Sequence, residues 1–137
     1  MDPQDRLEIL ALISNYVYCV DEQDWDLFAT LWTDNAVQYG RNGESRSKPE
    51  ILATYKALVA QMKGNPDHQW NQHHTTNTVL SEIGENRVAG KTRWFNLLKR
   101  ASQDRAFVGN SGHYLDEFVR TPEGWRFASR RIERNPG

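Results

Sequence analysis

One cysteine, two methionines and no long apolar run set the first limits on this chain. The single thiol, Cys19, cannot close an internal disulfide, which removes the stapled secreted scaffolds from consideration. Cys19 also lies in an apolar stretch, where a thiol reads as a buried, inert group. The hydrophobic segments are short and broken by charge, so none reads as a membrane span. An excess of one charge sign is missing too. There are 17 Lys and Arg against 18 Asp and Glu, a net charge of −1, so there is no basic footprint for nucleic acid and no polybasic membrane anchor. The start, Met1-Asp2-Pro3-Gln4-Asp5, is acidic and polar, unlike a signal or transit peptide. These features together lead us to expect a cytoplasmic protein. The metal motifs H-x-H and H-E-x-x-H are lacking, so no metal site is expected.

What the chain does contain is enough for one core and one lined cavity. Of its 137 residues, 38% are hydrophobic and 11% aromatic, a size that suits a single domain over 1–137. Asp2 followed by Pro3 is a helix start. Leu7, Ile9, Leu10, Leu12, Ile13, Tyr16, Val17 and Val20 then recur at helical spacing, which predicts a helix to about Val20. Asp24 is a candidate N-cap for a short helix from Trp25 to Leu31. Ala36 to Tyr39 reads as a short strand and Arg41 to Arg46 as a polar turn. Ser47-Lys48-Pro49-Glu50 has the form of a capping box. It opens a helix carrying Ile51, Leu52, Tyr55, Leu58, Val59 and Met62, and Gly64-Asn65-Pro66 stops it.

The period then changes to that of strands: Thr75 to Ile83, Arg87 to Arg100, Arg105 to Arg120 and Trp125 to Glu133. Helices first and antiparallel hairpins afterwards make an α+β fold. Strands this long need a strongly bent, cone-shaped sheet wrapped on the N-terminal helices. Alternation puts Gly112, Tyr114, Asp116 and Phe118 on one face, with Tyr114 as cavity lining and Asp116 as an arginine's partner. His73 and His74 must point to opposite faces, so only one can enter a cavity; spacing favours His73, with His74 as the second candidate. His68 is expected in a solvent-exposed loop, and Trp70 in the same loop as a lid or interface residue. Of the five tryptophans, Trp94 is expected in the core or the cavity wall. Leu97, Leu115 and Val119 fall on the outer face, where apolar residues favour assembly into a homodimer or homotrimer.

Several stretches in this order carry a resemblance. Tyr16-Val17-Tyr18-Cys19-Val20-Asp21 ends the first helix. Asp24 through Asp34-Asn35-Ala36 follows. His73-His74-Thr75-Thr76-Asn77 opens a strand. Gly112-His113-Tyr114-Leu115-Asp116 and Gly124-Trp125-Arg126-Phe127 with Arg130 complete the pattern. Nearly the whole chain is thereby similar to the SnoaL-like branch of the nuclear transport factor 2-like superfamily, which includes scytalone dehydratase, bile-acid dehydratase and dehydrochlorinases. The resemblance implies a cystatin-like α+β barrel. It also implies elimination from a small cyclic, partly apolar substrate with no cofactor.

By that resemblance Asp21 pairs with His73, Tyr16 assists at a substrate oxygen, and Arg134 matches an arginine beyond the last Trp. Tyr114, Trp94, Asn77, His74 and Arg130 are the further candidates for substrate contact. The chemistry is sound: a carboxylate fixes the imidazole tautomer and stabilises the imidazolium, and a phenol donates to a departing or polarised oxygen. Arg130, Arg131 or Arg134 could hold a carboxylate or enolate. Taken without the resemblance, Asp21 reads more readily as a cap of the helix-to-helix turn, and His73 as a surface or satisfied strand residue, than as a catalytic dyad. Related folds fit less well. Gln38-Tyr39-Gly40 lacks the acid of a ketosteroid isomerase, and Arg93-Trp94-Phe95 lacks the Arg-x-Asp of a limonene-type epoxide hydrolase. An isomerase or polyketide-type cyclase, and a non-catalytic partner subunit of the dioxygenase small-subunit type, remain the alternatives.

Overall fold

The computed structural model describes residues 1–41 and 43–137. The first helix, α1, spans Pro3–Glu22, and the Asp2 carboxylate caps it by accepting from the Gln4 amide at 2.7 Å. It ends where Gln23 turns left-handed (φ 59°). Asp24 then caps α2, Trp25–Thr30, through the Leu27 amide at 3.1 Å. Both caps supply the acceptor that an opening turn otherwise lacks.

Strand β1 is Trp32–Gly40 and β2 is Gly43–Arg46. The stretch read as a polar turn is therefore the tip of a hairpin whose second arm is a strand, with Gly40 opposite Gly43; Asn42 lies outside the described residues. Helix α3, Lys48–Lys63, opens with the Ser47 hydroxyl accepting from the Glu50 amide at 3.4 Å. Glu50 does not close the usual box on Ser47. It accepts from the Arg46 amide at 2.7 Å, while the Ser47 amide donates to the Ala36 carbonyl at 2.9 Å. The cap thus ties α3 to β1 and β2.

Four long strands follow: β3 (His68–Gly84), β4 (Arg87–Arg100), β5 (Phe107–Thr121) and β6 (Gly124–Arg134). The six-stranded sheet runs β2-β1-β6-β5-β4-β3. It is antiparallel except for one parallel contact, β1 on β6, which brings the N-terminal part of the chain onto the last strand. β3 begins at His68, seven positions before the expected Thr75. Polar residues such as Gln69 and Asn71 hid this start, yet Trp70 to Gln72 pair in register with Leu97 to Lys99.

The bend has a local cause. Register shifts between Thr76 and Val79, and Asn77 sits there at φ 54°. A bulge with a left-handed asparagine increases twist and curls the strand. The curled sheet wraps a core centred on Ile9, Phe28, Trp32, Phe118 and Phe127, all at most 1% exposed. Each such buried aliphatic or phenyl side chain contributes about 1.5–3 kcal/mol. On the outer face Leu97, Leu115 and Val119 are half-buried, whereas Val79 and Val108 are the exposed ones. No described helix is long and apolar enough to cross a membrane.

Candidate active site

The open end of the cone holds a cavity of about 780 Å³ between α1, α3 and the inner faces of β3 to β6. Tyr16 and Asp21 reach it from α1, Asp21 from that helix's last turn. Tyr55 reaches it from α3, His73 from β3, Trp94 and Asn96 from β4, Tyr114 from β5 and Arg134 from β6.

Asp21 and His73 meet at two points. The carboxylate takes the His73 ring Nδ1 at 2.6 Å on one oxygen and the His73 backbone amide at 2.8 Å on the other. Both side chains are mostly shielded from solvent, with 20% of His73 and 15% of Asp21 exposed. An ionised carboxylate only accepts, so Nδ1 carries a proton, and in the neutral imidazole Nε2 then holds the lone pair. Nε2 has no partner among the described residues.

Below the dyad, the hydroxyls of Tyr16 and Tyr55 share a short hydrogen bond in the buried floor of the cavity. Burial raises both phenols above their ordinary range, Tyr55 the more strongly; the nearby Arg130 charge opposes this at Tyr16. In the sequence Tyr55 shows only as part of a helix's apolar stripe. Tyr114 stacks on Trp94 at 5.6 Å between centroids, and burial pushes its phenol well up as well. Asn96 lies opposite His73 in the ladder, accepts from the Asn110 amide at 2.6 Å and donates to Asn71 at 3.0 Å. Asn71 and Asn96 also escaped sequence reasoning. Only the strand register sets them beside the dyad.

Three expected contacts fall elsewhere. Arg130 does not line the cavity. It is fully buried behind the wall, forked onto Asp116 at 2.7 and 2.8 Å, with its guanidinium 4.2 Å from the Tyr16 centroid and 3.8 Å from that of Tyr114. Two donors on two carboxylate oxygens make an ion pair. Burial works against Arg130's charge, but Asp116 outweighs it and holds the guanidinium above its ordinary value. Asn77 is exposed at the bulge and acts through its backbone. His74 points to the other face of β3, stacked on Phe95 at 5.0 Å and bonded to Gln72 at 2.8 Å. Adjacent strand residues face opposite ways, which is why His73 and His74 part. His68 and Trp70 belong to β3 and stand at the cavity rim, not in a free loop. Among the described residues no three His, Cys, Asp or Glu side chains group as metal ligands.

A family model described as the SnoaL-like domain matches residues 2–131. The chain belongs to the SnoaL-like family. An uncharacterized protein of Mycobacterium tuberculosis is 28% identical over 132 residues, 94% of this chain and 84% of its own length. Among solved structures, a Nostoc punctiforme protein of unknown function with a cystatin-like fold superposes with a TM-score of 0.86 at 15% identity, covering 100% of this chain and 96% of that one. A hexachlorocyclohexane dehydrochlorinase gives a TM-score of 0.78 at 20% identity, covering 98% and 90%. At these identities the likeness is one of fold, and a SnoaL-like cone hosts more than one chemistry. The residues of this particular cone must carry the functional argument.

Proposed function

We propose that this SnoaL-like protein is a cofactor-independent lyase that eliminates water from a small cyclic, partly apolar metabolite. The observation that carries the reading is the double grip of Asp21 on His73 at the wall of the cone. A base must be fixed in one tautomer with its lone pair free, and this arrangement does both. Nε2 removes a proton from the carbon beside an activating group. The C–O bond to the leaving hydroxyl breaks. A hydroxyl of the Tyr16–Tyr55 pair protonates the departing oxygen, and the imidazolium returns its proton to that pair. The sum is one water released and one double bond formed, with the residues restored. Val20, Val59, Trp94 and Ile132 supply the apolar part of the wall. A dehydrochlorinase on the same fold supports an elimination as the reaction type.

The test is a screen of cyclic hydroxylated compounds for loss of water, with no metal or nicotinamide added. A hit that falls about a hundred- to ten-thousand-fold in His73→Ala, with the fold intact by circular dichroism, supports the reading. A hit unaffected by His73→Ala refutes the base assignment. A strict requirement for added metal refutes the cofactor-free reaction.

A further inference from the structure

Amides form a one-way chain along the cavity wall. The Asn110 backbone amide donates to Asn96 Oδ1 at 2.6 Å, Asn96 Nδ2 donates to Asn71 Oδ1 at 3.0 Å, and Asn71 Nδ2 ends on the Met62 sulfur at 3.3 Å. The direction is fixed at its start. A backbone N–H can only donate, so Asn96 turns its oxygen to Asn110 and its amino group to Asn71. That amino group can only donate in turn, so Asn71 presents its oxygen to Asn96. The amino group of Asn71 is left at the open end.

That end is poorly served. A thioether is a weak acceptor, and an amide amino group has a second hydrogen to place. Asn71 Nδ2 has no partner besides Met62 among the described residues. Asn96 is 6% exposed, whereas Asn71 and Met62 are half-buried; all three line the cavity. Amides aligned head to tail polarise one another, which makes the last N–H of the chain a stronger donor than an isolated amide.

Asn71 also stands beside the base. It precedes His73 by two residues on β3, so both side chains take the same face of the strand, roughly 7 Å apart along it. Asn96 is the ladder partner of His73. When His73 Nε2 takes a proton from carbon, the electron pair left behind needs a place. A carbonyl next to that carbon accepts it, and the charge gathers on the carbonyl oxygen. The hydroxyls of Tyr16 and Tyr55 are committed to the leaving group, so this oxygen needs a different donor. A preset, uncharged N–H suits it, because the oxygen becomes a better acceptor as charge develops and the contact tightens in the transition state.

We propose that Asn71, held in direction by Asn96, donates to the carbonyl oxygen of a cyclic ketone, next to the carbon that His73 deprotonates. Asn71 touches the substrate, and Asn96 is a positioning residue. The proton goes to Nε2 and the electron pair to the oxygen; the carbonyl re-forms as the C–O bond of the leaving hydroxyl breaks. The role of His73 in this rests on the elimination reading, but the oxygen contact is a separate statement about binding.

The test uses 2-tetralone and its hydrocarbon twin 2-methylidenetetralin, in which a methylidene group replaces the oxygen. Binding to the full chain is followed by tryptophan fluorescence, since Trp94 lines the cavity. The ketone is expected to bind about two- to tenfold more tightly than its twin, the worth of one neutral hydrogen bond. Asn71→Asp keeps the shape and the bond from Asn96 but turns an acceptor to the cavity. It should remove the preference, as should Asn71→Leu, whereas His73→Ala should keep it. A merely structural role for Asn71 would weaken both ligands alike. In heavy water the protein should also speed exchange of the ketone's benzylic protons, read by NMR. His73→Ala should abolish that acceleration, and Asn71→Asp should lower it about a hundredfold. The proposal falls if the ketone binds no better than its twin, including the case where neither binds, or if Asn71→Asp keeps the preference or the full exchange rate. A preference that depends on Asn71, in a protein that exchanges nothing, refutes His73 as the base and leaves the oxygen contact standing.

Discussion

Asp21 in the last turn of α1 holds His73 of β3 by ring and backbone together, with Nδ1 at 2.6 Å and the amide at 2.8 Å. The two residues are 52 positions apart. The second bond also fixes where the strand passes the helix end, so a change at Asp21 displaces the base as well as its tautomer.

A double-mutant cycle follows from this. His73→Ala and Asp21→Asn are each expected to lower kcat/KM by about a hundred- to ten-thousand-fold, and the double variant little further, because the pair acts as one unit. Additive losses would show that the two residues act independently.

The buried pair behind the wall is a stability element. Asp116→Asn leaves Arg130 charged, fully buried and without its counter-ion. Breaking a buried pair from one side costs about 3–5 kcal/mol. Urea denaturation of Asp116→Asn should show a loss of that size. The loss should shrink when Arg130→Met is added, since two neutral groups replace one stranded charge.

The phenols of Tyr16 and Tyr55 depend on each other. Either Phe substitution is expected to cost about 0.5–1.5 kcal/mol of stability, and the second to add little once the shared bond is gone. Tyr16→Phe should lower turnover less than His73→Ala, because its partner Tyr55 still carries a hydroxyl. Equal losses in the two variants would make Tyr16 indispensable.

Alkaline titration reads the same floor. Burial holds the phenols of Tyr16, Tyr55 and Tyr114 above their ordinary value, so the folded state keeps protons that the unfolded state has released. That contribution is complete below a pH of about 10 and is lost as pH rises beyond it. Phenolate absorbance should therefore show these three tyrosines ionising together with unfolding. Ionisation of all the tyrosines ahead of unfolding would contradict their burial.

Cys19 supplies a simple check on packing. Its thiol is 1% exposed, and burial pushes its pKa up to about 11. At about pH 8 an aromatic disulfide reagent should react with it only after denaturation, since the thiolate is the nucleophile. Rapid reaction of the native protein would show that α1 opens.

The three helices, the last three strands, the α+β class and the inward face of β5 were legible in the sequence, whereas β2 and the start of β3 were not. The former rest on local chemistry: Asp2 and Asp24 as caps, the helical spacing of Ile9 to Val20, and the alternation of Gly112 to Phe118. The opposed facing of His73 and His74 was legible for the same reason, since a strand has a period of two. Which polar residue lines the cone was not legible locally. Arg130 and Arg134 are alike in the sequence and share one strand face. One is closed on Asp116 of the neighbouring strand and the other stands at the mouth, because the sheet's register puts Asp116 opposite Arg130 and Gly112 opposite Arg134. Asn96 comes to His73 by the pairing of β3 with β4, and Tyr55 to Tyr16 across the core, from a helix seated on β1. Those neighbours lie far apart in the chain, and only the curl of the sheet around the helices decides which of them touch.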